Sequence, residues 1–343
     1  MEYRFLGASG LEVSVLSFGT MTLGGEGRFG AMGNVQVEEA RRLIGICLDA
    51  GVNLFDTADI YSFGKSEEVL GQALGTHREE IVLATKVFVR LGAGTNKTGL
   101  SRRYIMEACE ASLRRLGTDY IDLYQAHNFD SLTPLEETLR AFQDLIRAGK
   151  IRYAGCSNYS GWQLMKALCI SDRLGIERYI SQQINYSLLA RDAEHELVPA
   201  GLDQRIGIMA WSPLQAGLLS GKFRRGQAKP SESRLNTLDV PGTVDPERHY
   251  RIVDCLAEIS AQRRVSISQV ALNWVTRKSG VDTVIIGARN EQQLRDNLAA
   301  ASWTLTGAEV EHLDEVSALP LPYPHWHQQK FAGDRNPPLK HVR

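Results

Sequence analysis

The sequence has few cysteines and no long apolar run. Its 343 residues include five cysteines, an odd number, and no two of them form a CxxC pair. This pattern argues against a disulfide framework and favours a reduced, intracellular setting. No apolar stretch reaches the roughly 18 residues of a membrane span, and the first residues have no apolar core of a secretory signal. We therefore expect a cytoplasmic protein that does not insert into a membrane.

An excess of charge of one sign is also missing. The chain carries 39 Lys and Arg residues against 40 Asp and Glu residues, a formal net charge of −1. No electrostatic feature therefore predicts binding to nucleic acid or to an anionic membrane. The glycine-rich stretch Gly24–Gly33 contains no GxGxxG followed directly by a helix, so it does not predict a dinucleotide fingerprint.

Apolar runs alternate with helical stripes along the whole chain. The runs are short and β-branched, as buried parallel strands are, and the stripes that follow have the spacing of amphipathic helices. Eight such units predict an α/β fold of the (β/α)8 or TIM barrel type, and an open doubly wound sheet is the alternative. The barrel is favoured because the strand ends carry side chains that would share one mouth: Thr20, Asp56, Lys86, His127, Ser157, Gln183, Trp211 and Gly287.

The two ends of the chain lie outside these units. Residues 3–6 and 12–15 flank a glycine-rich turn, which predicts a β-hairpin at the barrel end opposite the site. A last helix begins at a capping box that starts with Thr306. The tail, about 320–343, is expected over or beside the barrel mouth, and the prolines within Pro320–His327 predict that this stretch is not helical. No linker divides the chain, so residues 1–343 are expected to form one barrel domain.

Four side chains at or just after three strand ends have types that suit carbonyl reduction: Asp56, Tyr61, Lys86 and His127. A carbonyl oxygen that accepts a hydride needs a proton, and a tyrosine beside an ammonium can donate one. The ammonium favours the phenolate, so we expect it to lower the pKa of the tyrosine below its ordinary value. An aspartate would hold that ammonium, and a neutral histidine would orient the carbonyl. Singly, each residue also has a structural interpretation: a capping acid, a loop aromatic, a strand-end lysine or a core histidine.

In their order and positions these four residues resemble the catalytic tetrad of the aldo-keto reductases, and the resemblance covers nearly the whole chain. It implies that Asp56, Tyr61, Lys86 and His127 are catalytic, that Tyr61 and His127 also contact substrate, and that the cofactor is NADP(H). No metal site is expected. The histidines of the tail, His325 and His327, are better interpreted as part of a mobile segment than as ligands.

The resemblance also implies a set of nucleotide-binding residues. Ser157, Asn158 and Gln183 would bind the nicotinamide end, Trp211 would lie against the ring, and Arg289 would bind the 2′-phosphate at a helix N-terminus. Taken alone, these segments are also compatible with a turn, a core tryptophan and an exposed helix start. The remaining implied residues are Gly19, Thr20, Met21, Asp56, Ser212, Pro213, Leu214, Gly217, Lys222, Arg234, Gly287, Gln293, Asp296 and Asn297.

The expected activity is the reversible, NADPH-dependent reduction of an aldehyde or ketone, with the proton from Tyr61. The expected partner is a small carbonyl or alcohol, and a homo-oligomer is possible. The alternative is a cytoplasmic nucleotide-sensing subunit with slow turnover, since potassium-channel β subunits share this fold and tetrad. In the tail, Tyr323 or Trp326 is expected to contact substrate. The alternative is that these aromatics only fasten the tail to the side of the barrel.

Overall fold

A computed structural model describes residues 1–227 and 245–335 of the chain. An antiparallel hairpin comes first, formed by β1 (Tyr3–Phe5) and β2 (Glu12–Ser14). Eight parallel strands then close into a barrel, in which the first barrel strand pairs with the last. These strands are β3 (Leu16–Gly19), β4 (Leu54–Asp56), β5 (Val82–Val87), β6 (Ile121–Ala126), β7 (Ile151–Ser157), β8 (Ser181–Asn185), β9 (Gly207–Trp211) and β10 (Val281–Ile286).

Helices connect the strands and surround the barrel, so the predicted (β/α)8 fold and its N-terminal hairpin are confirmed. The helices are α1 (Val37–Asp49), α2 (Lys65–Leu74), α3 (Arg102–Leu116), α4 (Leu135–Arg147), α5 (Gly161–Leu174), α6 (Leu197–Gln204), α7 (Pro246–Arg263), α8 (Ile267–Thr276), α9 (Glu291–Leu298), α10 (Gly307–Val316), α11 (His325–Lys330) and α12 (Ala332–Arg335). The capping box predicted at Thr306 is present, with Glu309 as its partner. None of the described helices is both long and apolar enough to cross a bilayer.

Alternation along the strands determines which side chains enter the barrel. In β4, Leu54 belongs to the cluster that fills the barrel interior, whereas Phe55 belongs to the core between strands and helices. Because successive side chains point to opposite faces, the next inward residue of β4 is Asp56. The same alternation brings Lys86 inward after Val82 and Ala84. The apolar interior therefore ends in a polar layer at the carboxyl ends of the strands.

The hairpin closes the opposite end of the barrel, as expected. Gly7 donates its backbone N–H to Asp282 Oδ2 at 2.9 Å, and Ala8 donates to the carbonyl of Arg205 at 2.9 Å. These acceptors lie near the amino ends of β9 and β10. Leu6 is fully buried in the interior cluster, so the hairpin forms the floor of the barrel.

The prediction that Pro320–His327 is not helical is wrong at its end. Helix α11 begins at His325 and includes Trp326 and His327. The reason is that the prolines all precede the helix, and Pro324 occupies the N-cap position. A proline there removes no intrahelical hydrogen bond, because the first N–H groups of a helix have no partner within it.

The hairpin turn provides a test of this floor. Gly7 has φ +60°, and a Cβ at this position would lie 2.5 Å from the backbone nitrogen of Gly207. We expect Gly7→Ala to destabilise the protein by on the order of 2 kcal/mol or more, from left-handed strain and overlap with backbone. Gly10→Ala is the matched control, because a Cβ there meets nothing within 4 Å. Denaturant unfolding of both variants measures the difference, and equal unfolding midpoints would contradict the close approach.

Candidate active site

A buried ion pair lies at the centre of the barrel mouth. Lys86 Nζ donates to Asp56 Oδ1 at 2.5 Å and to the carbonyl oxygen of Thr57 at 2.8 Å. Lys86 is 0% exposed and Asp56 is 2% exposed. Burial lowers the pKa of Lys86, but the negative charge of Asp56 and the neighbouring Tyr61 outweigh it, and the net pKa is raised. Lys86 is therefore cationic at neutral pH.

Tyr61 and His127 complete the group of four. Lys86 Nζ lies 5.1 Å from the centroid of the Tyr61 ring, and the His127 ring packs edge-on against Tyr61 with centroids 5.9 Å apart. Two residues in the left-handed region follow the tyrosine, Ser62 with φ 49° and Phe63 with φ 54°. Such strain in non-glycine residues is concentrated at functional sites. The structure thus brings the four predicted residues of the tetrad together.

Burial determines the protonation of the two aromatic groups. It raises the pKa of Tyr61 above the ordinary value of 10, and the opposing effect of Lys86 does not compensate. The lowered tyrosine pKa expected from the sequence is therefore not found, and Tyr61 carries its proton at neutral pH. Burial and the charge of Lys86 lower the pKa of His127 to about 3. The imidazole is consequently neutral at physiological pH.

Two buried amides bind the second oxygen of Asp56. Gln125 Nε2 donates to Asp56 Oδ2 at 3.2 Å, and Gln183 Nε2 donates to the same oxygen at 2.8 Å. The sequence interpretation assigned Gln183 to the nicotinamide and missed Gln125. Strand alternation was the available signal, because Gln125 comes two residues after the inward Leu123 and two before His127. Asp56 thus accepts from one ammonium and two amides.

The residues implied for the nicotinamide end lie in β7, β8 and β9 or just after these strands. Ser157 Oγ donates to the carbonyl of Gln183 at 3.0 Å, and Asn158 Nδ2 donates to the carbonyl of His127 at 2.9 Å. Asn158 and Ser212 both have φ 57°, and Gly217 has φ 97°. The segment that contains Ser212, Pro213, Leu214 and Gly217 therefore forms a strained turn beside the mouth, next to Trp211 at the end of β9 and the exposed Lys222.

The residues implied for the phosphate end lie at the start of α9. Asn290 caps this helix by accepting from the backbone of Gln293 at 3.0 Å, and Gln293 Oε1 accepts from the backbone of Arg289 at 3.0 Å. Asn297 donates to the carbonyl of Gly287 at 3.2 Å. The carboxylate of Asp296 accepts from two side chains of the α8 region, Ser266 Oγ and Gln269 Nε2.

The open backbone at this end fits a phosphate group. Gly287 is exposed, and the nearest atom to a Cβ built on it is the carbonyl oxygen of Gly19 at 4.0 Å. A helix N-terminus and an arginine beside uncovered backbone form a favourable anion environment. Thr20 and Met21 continue from Gly19, and Thr20 Oγ1 lies 3.0 Å from Ser66 Oγ. Arg234 lies outside the described residues.

The tail aromatics lie at the surface. Tyr323 is 75% exposed and Trp326 is 50% exposed, and their ring centroids are 6.2 Å apart. His325 stacks on His195 with centroids 5.4 Å apart, which places the start of α11 beside the loop before α6. The substrate contact expected for Tyr323 or Trp326 stays a prediction.

The amide bond from Gln125 to Asp56 can be tested by stability. Gln125→Leu keeps the approximate volume and removes one donor from a buried carboxylate, which costs about 1–3 kcal/mol. Gln125→Glu places a second carboxyl beside Asp56, which raises the folded-state pKa of the new carboxyl above its unfolded-state value. The loss of stability is therefore largest at neutral pH and becomes smaller as the pH falls. Urea unfolding from about pH 5 to pH 8 measures both effects. If the stability of Gln125→Glu runs parallel to wild type across this range, the contact is not present in solution.

Comparison with known proteins agrees with this geometry. The model of the Aldo/keto reductase family matches residues 15–318. A protein of Arabidopsis thaliana named "Probable voltage-gated potassium channel subunit beta" is 39% identical over 326 residues, which cover 92% of this chain and 96% of that protein. "Uncharacterized oxidoreductase YrpG" of Bacillus subtilis is 36% identical, with 92% of this chain and 96% of the relative covered.

A third relative carries the name of an enzyme. "Versiconal hemiacetal acetate reductase" of Aspergillus parasiticus is 34% identical over 340 residues, again covering 92% of this chain and 96% of that protein. The family match spans the barrel from β3 to the end of α10, which includes all four residues of the tetrad. The chain belongs to the Aldo/keto reductase family.

Proposed function

We propose that the protein reduces an aldehyde or ketone to the alcohol with NADPH. The observation that carries the proposal is the buried Asp56–Lys86 pair beside a protonated Tyr61 and a neutral His127. The family, together with relatives named as an oxidoreductase and a reductase, supports carbonyl reduction in general. The choice of NADPH and the assignment of each residue are our proposals.

The roles follow from charge and protonation. A nicotinamide dinucleotide, when bound at the strand ends, would supply the hydride. Tyr61 donates its proton to the carbonyl oxygen, and the positive charge of Lys86 stabilises the tyrosinate that develops. His127 directs a neutral N–H at the same oxygen and fixes its orientation. Asp56, held by Gln125 and Gln183, keeps Lys86 charged and in place.

The preference for NADPH rests on the start of α9. Arg289 would bind the 2′-phosphate with a charge-assisted hydrogen bond, and the helix N-terminus adds a favourable dipole. Lys222 is exposed on the strained turn after β9 and is proposed to assist. Ser157, Asn158 and Trp211 are proposed at the nicotinamide end.

A nucleotide-sensing subunit is the second candidate. It is favoured by the relatives of Arabidopsis thaliana and Oryza sativa, which are 39% and 38% identical and are both named as probable potassium channel β subunits. The same tetrad suits both candidates, so turnover distinguishes them. Steady oxidation of NADPH by small carbonyls favours the enzyme, whereas tight nucleotide binding with negligible turnover across a broad carbonyl panel favours the sensor.

Tyr61 is the sharpest test of the chemistry. A panel of aldehydes and ketones with NADPH, followed by absorbance at about 340 nm, identifies a turned-over substrate. With that substrate we expect Tyr61→Phe to lower kcat by about 10²-fold or more, because the ring stays and the proton is lost. NADPH affinity, measured by fluorescence titration, should stay near the wild-type value. A Tyr61→Phe variant with wild-type kcat would remove Tyr61 from its proposed role.

The pH profile tests the two protonation states. Reduction requires protonated Tyr61 and neutral His127. His127 has a pKa of about 3 and Tyr61 a pKa above the ordinary 10, so neither group titrates near neutrality. We expect kcat/KM for reduction to be level from about pH 5 to pH 9 and to fall only at higher pH. A fall toward acid with a midpoint near the ordinary histidine pKa of about 6.5, absent in His127→Gln, would show that His127 is not buried as described.

A further inference from the structure

The glycine-rich segment Gly24–Gly33 contacts the loop that carries the proton donor. The backbone N–H of Gly25 donates to Ser62 Oγ at 3.0 Å, and Ser62 Oγ donates to the carbonyl of Leu23 at 2.9 Å. Phe29, which is 5% exposed, packs with its ring centroid 6.1 Å from that of Tyr61. This segment therefore forms one wall beside Tyr61.

Apolar side chains from several other loops pack with the segment and complete this wall. Phe29 and Met32 are buried in one cluster with Ala58 and Ile60. Four partly buried side chains pack around this cluster: Met21, Tyr61, Val89 and Leu91. One of them, Tyr61, is the proposed proton donor. The partly exposed side chains of Met21, Val89 and Leu91 present apolar surface near Tyr61, and Phe29 and Met32 are buried among them. The wall therefore suits carbonyl compounds with an apolar or aromatic substituent.

The other side of the segment is held by Arg289. Its Nη2 donates to the carbonyl of Ala31 at 2.8 Å, and its Nε donates to the carbonyl of Met32 at 3.1 Å. These donors lie on one edge of the guanidinium group. A guanidinium has a second bidentate edge, made by its two terminal nitrogens. Within the described part of the chain, Nη1 of Arg289 makes no hydrogen bond to protein.

We propose that Arg289 is a positioning residue for the substrate wall, so that binding of the 2′-phosphate and selection of an apolar carbonyl are coupled through the segment Gly24–Gly33. This inference rests on the proposed function, because it takes the phosphate site at Arg289 from there. A phosphate bound to the two terminal nitrogens would restrict the motion of the guanidinium. Its other edge, made by Nε and Nη2, would then hold the carbonyls of Ala31 and Met32 more firmly. Coupling of this kind is reciprocal, so an ordered wall also favours the phosphate.

Hydrogen exchange tests the wall without any turnover. We compare wild type with Arg289→Ala, Arg289→Lys and the control Arg295→Ala, first in the nucleotide-free protein and then with NADP+ or NAD+. Arg295 lies in α9, the helix that follows Arg289. Its side chain is 65% exposed, and its contact with Glu291 is long, at 3.9 Å. The lysine variant keeps the charge but has no planar edge for two carbonyls.

The probes are the backbone amides of Met32 and Gly33, which both donate to the Phe29 carbonyl. Their hydrogen exchange should be faster by roughly 10-fold or more in Arg289→Ala and in Arg289→Lys, since the segment loses two charge-assisted hydrogen bonds. Exchange in Arg295→Ala should match wild type. In wild type, NADP+ should slow hydrogen exchange of the segment Gly24–Gly33 more than NAD+ does. In Arg289→Ala, the two nucleotides should slow it by the same amount.

Steady-state kinetics test the consequence for substrates. At saturating NADPH, Arg289→Ala should raise KM for a bulky aromatic aldehyde several-fold more than it raises KM for a short aliphatic aldehyde. Phe29→Leu should alter the same ratio. In the double variant, the effects of the two substitutions on the ratio of the aldehyde KM values should be non-additive, because both residues act on one wall.

Two results would overturn the coupling, and they affect the proposed function differently. If Arg289→Ala loses NADPH affinity while exchange of the segment and the ratio of aldehyde KM values stay at wild-type values, the coupling is absent and the phosphate assignment stands. If exchange of the segment rises while the preference for NADPH over NADH is unchanged, Arg289 does not bind the phosphate and the coupling again fails. Carbonyl reduction by Tyr61 survives either result.

Discussion

The ion pair between Lys86 and Asp56 is the interaction on which the rest of the site depends. Two charges in a water-excluded interior are unfavourable unless nearby dipoles replace their hydration. Here Thr57, Gln125 and Gln183 provide those dipoles, and each comes from a different part of the barrel end. The pair is stable only when the strands hold their register, so the closed barrel and the charged site require each other.

The burial that makes the ion pair energetically costly also determines the protonation states of Tyr61 and His127. Tyr61 keeps its proton because its phenolate would be poorly solvated, and His127 stays neutral because burial, and then the charge of Lys86, disfavours an imidazolium. The site therefore contains one fixed cation and two neutral donors at physiological pH. In the proposed reduction, a carbonyl oxygen that gains negative charge would meet groups that are already oriented, so little reorganisation would accompany the reaction.

Much of this could be predicted from the sequence, because it depends on local pattern. Apolar runs that end in a polar residue identified Asp56 and Lys86 as strand-end residues, and capping residues such as Thr306 indicated where helices begin. The contact between Arg289 and the segment Gly24–Gly33 was not predictable, since Arg289 binds backbone carbonyls about 258 positions away and a carbonyl has no sequence signature. The tyrosine pKa was misjudged because nearby charge can be inferred from sequence order, whereas the degree of burial cannot.

The hairpin floor has a consequence for how the chain assembles. Gly7 binds Asp282, a residue 275 positions later, and β3 pairs with β10 to close the barrel. During synthesis the hairpin therefore emerges before the strands β9 and β10 that it covers, and its contacts with them form only when nearly the whole barrel has been made. Contacts of such high sequence separation form late, after their loop entropy has been lost. Until then Leu6, which is fully buried in the folded protein, is exposed to solvent, so the hairpin is an apolar surface that the growing chain leaves uncovered.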